Sequence, residues 1–109
     1  MLQERDERVA AADVEFADGT AVVRLRGDLD ISMRAALSAQ LAGLIAMKPD
    51  RLIFDMAAVS YLDCAVAAAI FGASGSVVPA RKPVIRSPCP LVQRLLELTG
   101  LDRQCELEG

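Results

Sequence analysis

The sequence has no histidine and no tryptophan among its 109 residues. Without histidine there is no Ser-His-Asp triad, no HExxH metal site and no imidazole proton shuttle. Cysteine is scarce: Cys64, Cys89 and Cys105 lie far apart and form no CxxC pair. That spacing excludes the common zinc patterns and leaves one thiol over in any disulfide scheme, so reduced thiols of a cytoplasmic protein are expected. No apolar run approaches the roughly 18 residues of a membrane span, and the richest, residues 64–73, is about half that. The N-terminal residues carry mixed charge and lack a signal peptide's apolar core. No Lys/Arg cluster relieves a balance of 12 basic against 15 acidic side chains, net −3, which argues against nucleic-acid phosphates as a target. No GxGxxG or GxxxxGK follows a strand pattern, so no phosphate-cradling loop marks a nucleotide enzyme. Carboxylates abound, yet none has an evident nucleophile–base partner. The expectation is a non-enzyme with no metal and no obligatory cofactor.

What is present is a foldable pattern. Apolar residues make up 53% of the chain and charged ones 25%, which disfavours disorder. The length suits one domain, here residues 9–109 behind a flexible stretch 1–8. A strand is expected over 9–16, with Val14 and Phe16 on one face and Glu15 on the other. Asp18-Gly19 is a residue pair favoured in type I′ hairpin turns. Across it, residues 20–26 alternate Val23 and Leu25 with Arg24 and Arg26, giving a hairpin with one wet face. Residues 27–30 read as a loop, with Ser32 as N-cap of a helix striped by Met33, Leu37, Leu41, Leu44 and Ile45. Lys48-Pro49-Asp50 ends that helix. Residues 51–56, with Leu52, Ile53 and Phe54 in succession, read as a central strand covered on both faces.

A loop then leads to Asp63, the cap of an alanine-rich helix from Cys64 to about residue 74, weakened by Gly72 and Gly75. Residues 82–86 form another short strand. Ser87 is expected to cap a third helix with Pro88 in its first turn, burying Leu91, Val92, Leu95, Leu96 and Leu98. Gly100 suits a left-handed helix end with Leu101 folding back on Leu96. Residues 102–107 form a turn or edge strand. The order hairpin, helix, strand, helix, strand, helix implies an α/β domain. Its mixed sheet has four to five strands, antiparallel at the N-terminal hairpin and parallel inside, with three main helices packed on it.

The informative junction is 55–64, at the C-terminal edge of a central strand, where open α/β sheets place functional groups. Asp63 there can accept bonds from free helix amides, a cap worth about 1 kcal/mol in its own right. Four stretches carry a family resemblance: Val22-Val-Arg-Leu-Arg-Gly-Asp-Leu-Asp30, Arg51-Leu-Ile-Phe-Asp55, Val59-Ser-Tyr-Leu-Asp63 and Leu95-Leu-Glu-Leu-Thr-Gly-Leu-Asp102. In this order and spacing they resemble STAS domains, more narrowly bacterial anti-sigma factor antagonists, over roughly residues 10–108.

The resemblance implies partner switching. An antagonist of this kind binds an anti-sigma factor with a serine-kinase, ATPase-like fold and so frees a sigma factor. The kinase reverses this by phosphorylating a Ser or Thr in an Asp-Ser-x-Gly motif, adding about −1.5 to −2 charge at the contact surface. This chain departs there: the matching stretch is Asp63-Cys64-Ala65-Val66, with a thiol for the hydroxyl and Val for Gly. The docking face implied comprises Asp28 and Asp30, the loop Ser60, Tyr61, Leu62 and Asp63, and Cys64, Ala65 and Ala68 on the helix. Cys64 is the phospho-acceptor-equivalent position, and a monomer or weak homodimer is expected, with no membrane insertion.

Two other roles fit the same residues. STAS domains also serve as accessory or scaffold subunits of lipid-transport ABC systems and stress-signalling assemblies, and fold alone does not choose among these. A redox sensor is the third, since Cys64 and Cys89 are both expected at helix N-termini, where the dipole lowers a thiol's pKa.

Overall fold

The computed structural model describes residues 12–77 and 82–108. Strands β1 (Ala12–Ala17) and β2 (Thr20–Leu29) form the hairpin, and a 3₁₀ turn (Ile31–Met33) leads into α1 (Arg34–Ala46). Then come β3 (Arg51–Leu62), α2 (Cys64–Val77), β4 (Val84–Arg86) and α3 (Pro90–Thr99). A second 3₁₀ turn (Leu101–Gln104) precedes β5 (Glu106–Glu108). The sheet order is β1-β2-β3-β4-β5, antiparallel only between β1 and β2. This is the expected mixed sheet with three main helices. The strand start expected at residues 9–11, and the flexible stretch 1–8, lie outside the described residues.

Local chemistry accounts for the turns. Asp18 and Gly19 both have positive φ, 53° and 79°, as a type I′ turn requires. The Gly19 carbonyl accepts the amides of Asp50 and Arg51 at 2.7 and 3.3 Å, clamping the hairpin turn to the start of β3. A Cβ at Gly19 would lie 2.5 Å from an Asp50 carboxylate oxygen, so the position admits only glycine without rearrangement. Gly100, at φ 79°, ends α3 in the expected left-handed conformation, and Leu101 packs against the core.

One face of the sheet carries the core. Val23, Leu25, Leu52, Phe54, Met56 and Ile85 pack with Leu37, Leu41 and Leu44 of α1, Val66 and Ile70 of α2, and Val92 and Leu96 of α3. The opposite face is charged. Asp13, Arg24, Asp55, Arg86 and Glu108 stand side by side on successive strands in register, alternating in sign. Arg24–Glu15, Arg26–Asp13 and Arg86–Glu108 are ion pairs of 2.8–2.9 Å on this face. Ile53 and Val84 are nevertheless buried there, so the consecutive apolar run in β3 is covered on both sides.

Several expected boundaries move. Residues 27–29 are strand, because Gly27 at φ 81° turns the backbone within β2 while Asp28 and Leu29 still pair with β3. Asp30, not Ser32, caps the first helical segment: its carboxylate accepts the Ser32 amide at 2.9 Å, and Ser32 lies inside the 3₁₀ turn. Strand β3 continues to Leu62 through the expected loop. Helix α2 runs past Gly72 and Gly75 to Val77. Ser87 cannot cap α3, since its φ is 55° and its amide bonds to the Glu108 carbonyl at 2.7 Å. Cys89 is the N-cap instead, and Pro90 is the proline in the first turn. Leu91 and Leu98, expected to be buried, are 58% and 74% exposed. Both lie about 100–120° round the helix from Val92, beyond the buried stripe.

Candidate functional site

The residues singled out in the sequence converge at the C-terminal ends of β2 and β3. Strand β3 has 12 residues against 10 in β2, and the two extra residues are two β-bulges. The first falls between the pairs Arg24↔Asp55 and Arg26↔Ala58, where the Asp55 carboxylate accepts the Ala57 amide at 3.0 Å. The second falls between Gly27↔Val59 and Asp28↔Tyr61. There the Ser60 hydroxyl donates to the Asp28 carboxylate at 2.5 Å. Bulges re-aim side chains and raise the local twist. Here Val59 and Leu62 stay in the core while Ser60 and Tyr61 turn outward.

The strand ends are tied together and then handed to helices. The Asp63 amide donates to the Leu29 carbonyl at 2.9 Å, closing β2 against β3. The Asp63 carboxylate accepts the Ala65 amide at 2.8 Å, and its carbonyl accepts the Ala67 amide at 2.9 Å. Asp63 therefore caps α2 as expected, where a carboxylate also suits the positive end of the helix dipole. Cys64 begins the helix and is exposed. Along α2, Val66, Ala67 and Ile70 face the core, whereas Ala65 and Ala68 are exposed.

The expected docking residues thus divide. Asp28, Asp30, Ser60, Tyr61, Cys64, Ala65 and Ala68 are exposed, with Asp63 intermediate. Leu62 is 1% exposed and supports the edge from inside. Ser60 and Tyr61 lie on a bulged strand instead of a loop. Sequence reading missed Ile31, 54% exposed in the 3₁₀ turn that packs beside α2. The Asp30-x-Ser32 pattern, an aspartate bonding the backbone two residues on, was the available signal for that turn. With Tyr61, 41% exposed, Ile31 adds large apolar surface to an end otherwise built of carboxylates and small side chains.

Among the described residues no group of three or more Cys, Asp or Glu side chains is placed to hold a metal. No described helix is long and apolar enough to cross a membrane. The three cysteines are free thiols, with Cys64 exposed, Cys89 half-buried and Cys105 buried. Cys64 and Cys89 do stand at the N-termini of α2 and α3.

The fold recurs in solved structures. An anti-sigma factor antagonist from Mycobacterium paratuberculosis is 26% identical, with a TM-score of 0.80 over 89% of this chain and 83% of that one. The anti-sigma factor antagonist SpoIIAA in its unphosphorylated form is 20% identical, with a TM-score of 0.77 over 91% and 89%. The Bacillus cell fate determinant SpoIIAA in its phosphorylated form, 20% identical, gives 0.68 over 91% and 92%. A family model for the STAS domain matches residues 11–108, every described element included. The chain belongs to the STAS domain family.

Proposed function

We infer that this STAS domain is an anti-sigma factor antagonist whose target is an anti-sigma factor of kinase-like, ATPase-type fold. The observation that carries the reading is the exposed Cys64-Ala65 start of α2, capped by half-buried Asp63 and flanked by exposed Tyr61 and Ala68. Its support is the STAS match and the likeness to anti-sigma factor antagonists. Docking uses Asp28, Asp30, Ser60, Tyr61, Asp63, Cys64, Ala65 and Ala68, with Leu62 holding the edge beneath them. No catalysis is asked of this chain.

Cys64 gives the reading its particular form. A thiol at the acceptor position is not a substrate for ordinary Ser/Thr kinase chemistry, so the charge that would break the complex is never added. The antagonist then stays engaged whatever the ATP supply.

Affinity capture from native lysate, with and without ATP, tests this on wild type and Cys64→Ser, with captured proteins identified by mass spectrometry. Both should retain a kinase-like anti-sigma factor, and ATP should release it only from the Ser variant. ATP-driven release from wild type with phosphate on this chain would refute the locked form. Capture of a transporter ATPase would move the assignment to a lipid-transport subunit.

A further inference from the structure

The sheet ends at β5, and its outer edge is open among the described residues. The Glu106 amide donates to the Pro83 carbonyl at 2.9 Å, and the Ser87 amide donates to the Glu108 carbonyl at 2.7 Å. Glu106 and Glu108 therefore direct their backbone groups toward β4. By the alternation of a strand, the N–H and C=O of Leu107 point outward, away from the sheet. An open strand edge of this kind templates the addition of another strand.

Side chains determine what could add there. Leu107 lies on the core face of the sheet in register with Ile85, yet is 40% exposed, and borders a cleft also lined by Ser87, Pro88 and Gln93. Glu106 and Glu108 lie on the charged face, where Glu108 pairs with Arg86. A second copy of this chain is a poor occupant. Its opposite edge, β1, presents Asp13 and Glu15 on that same face, so edge-to-edge stacking would set carboxylates against carboxylates. The chain's own basic-apolar-basic run, Arg24-Leu25-Arg26, is enclosed between β1 and β3.

We propose that the outer edge of β5 is a docking site for an extended segment of a different protein, one carrying Lys or Arg on both sides of an apolar residue. The apolar side chain sits beside Leu107 over the Pro88–Gln93 cleft, and the flanking cations face Glu106 and Glu108. The Leu107 N–H and C=O supply the backbone bonds. This site is independent of the reading at Cys64.

The test is a nitrogen-15 NMR titration of the full chain with a blocked pentapeptide, Thr-Lys-Val-Lys-Thr, and its acidic counterpart, Thr-Glu-Val-Glu-Thr. The basic peptide should shift the amides of residues 106–108 and slow exchange of the Leu107 amide, while the acidic one should do neither. Glu106→Lys should weaken the basic peptide roughly two- to fivefold, the range set by one exposed ion pair. Glu106 is exposed, so that variant keeps the fold. Equal binding of both peptides, or no response at residues 106–108, would overturn the proposal. So would a Leu107 amide already protected in the free protein, or one protected only as protein concentration rises, which would make the occupant this chain itself.

Discussion

At the scale of single residues, two cysteines with the same functional group have opposite fates. Cys64 stands exposed at a helix start, whereas Cys105 is buried and its thiol approaches the carbonyls of Leu101 and Asp102 at 3.7 and 3.8 Å. Burial first, and the nearby Asp102 charge second, push the Cys105 thiol from its ordinary 9.0 to about 11, with Lys82 opposing. Because the folded state holds this proton more tightly than the unfolded chain, the stabilisation is complete below about pH 9 and is lost as pH rises through about 11. Urea unfolding at a series of alkaline pH values should therefore show wild type losing stability faster than Cys105→Ala across that window. Parallel slopes would mean the buried thiol is not the titrating group. Sequence spacing excluded a metal role for these cysteines, but burial depends on which residues close over the 3₁₀ turn at 101–104, and spacing does not carry that.

At the scale of elements, the misread stretches share one cause. Apolar periodicity identified the α1 stripe through Leu37, Leu41 and Leu44, and the consecutive Leu52-Ile53-Phe54 of the central strand. It failed beyond Met56, where the buried positions are Met56, Val59 and Leu62. Each bulge inserts one residue between core positions, so a spacing of two becomes three and strand alternation disappears from the sequence. The stretch before Asp63 consequently read as a loop, whereas it is bulged strand through Leu62. At Ser87-Pro88, a capping residue before proline was a sound local signal, and the pairing of Ser87 with Glu108 overrode it. The bulge account makes a deletion experiment decisive. Removing Ala57 should return the first bulge to regular pleat with Val59 still inward, leaving unfolding cooperative. Removing Ile53, in the unbulged half, should turn the flanking apolar side chains to the wrong faces and abolish cooperative thermal unfolding.

At the scale of the whole molecule, a Cα radius of gyration of 13.0 Å matches the roughly 13 Å expected of a compact chain of this length. Compactness comes from the apolar face of the sheet, not from the charge ladder on the other. The three ion pairs there are exposed, and exposed pairs are worth about 0–1 kcal/mol each. Raising sodium chloride should then change the unfolding free energy by no more than about 3 kcal/mol, the sum of the three pairs at their upper value. A larger loss would assign the ladder a structural weight that its exposure argues against. Its alternating signs leave acidic side chains at both edges, which discourages self-stacking. The clamp of Gly19 onto Asp50 and Arg51 has a practical corollary. Because β2 and β3 run parallel, this clamp and Cys64 sit at opposite poles, separated by the length of β2, roughly 30 Å for ten residues. A fluorophore or surface tether on exposed Asp18 would thus hold the molecule by its fixed pole and leave the Cys64 pole unobstructed for binding measurements.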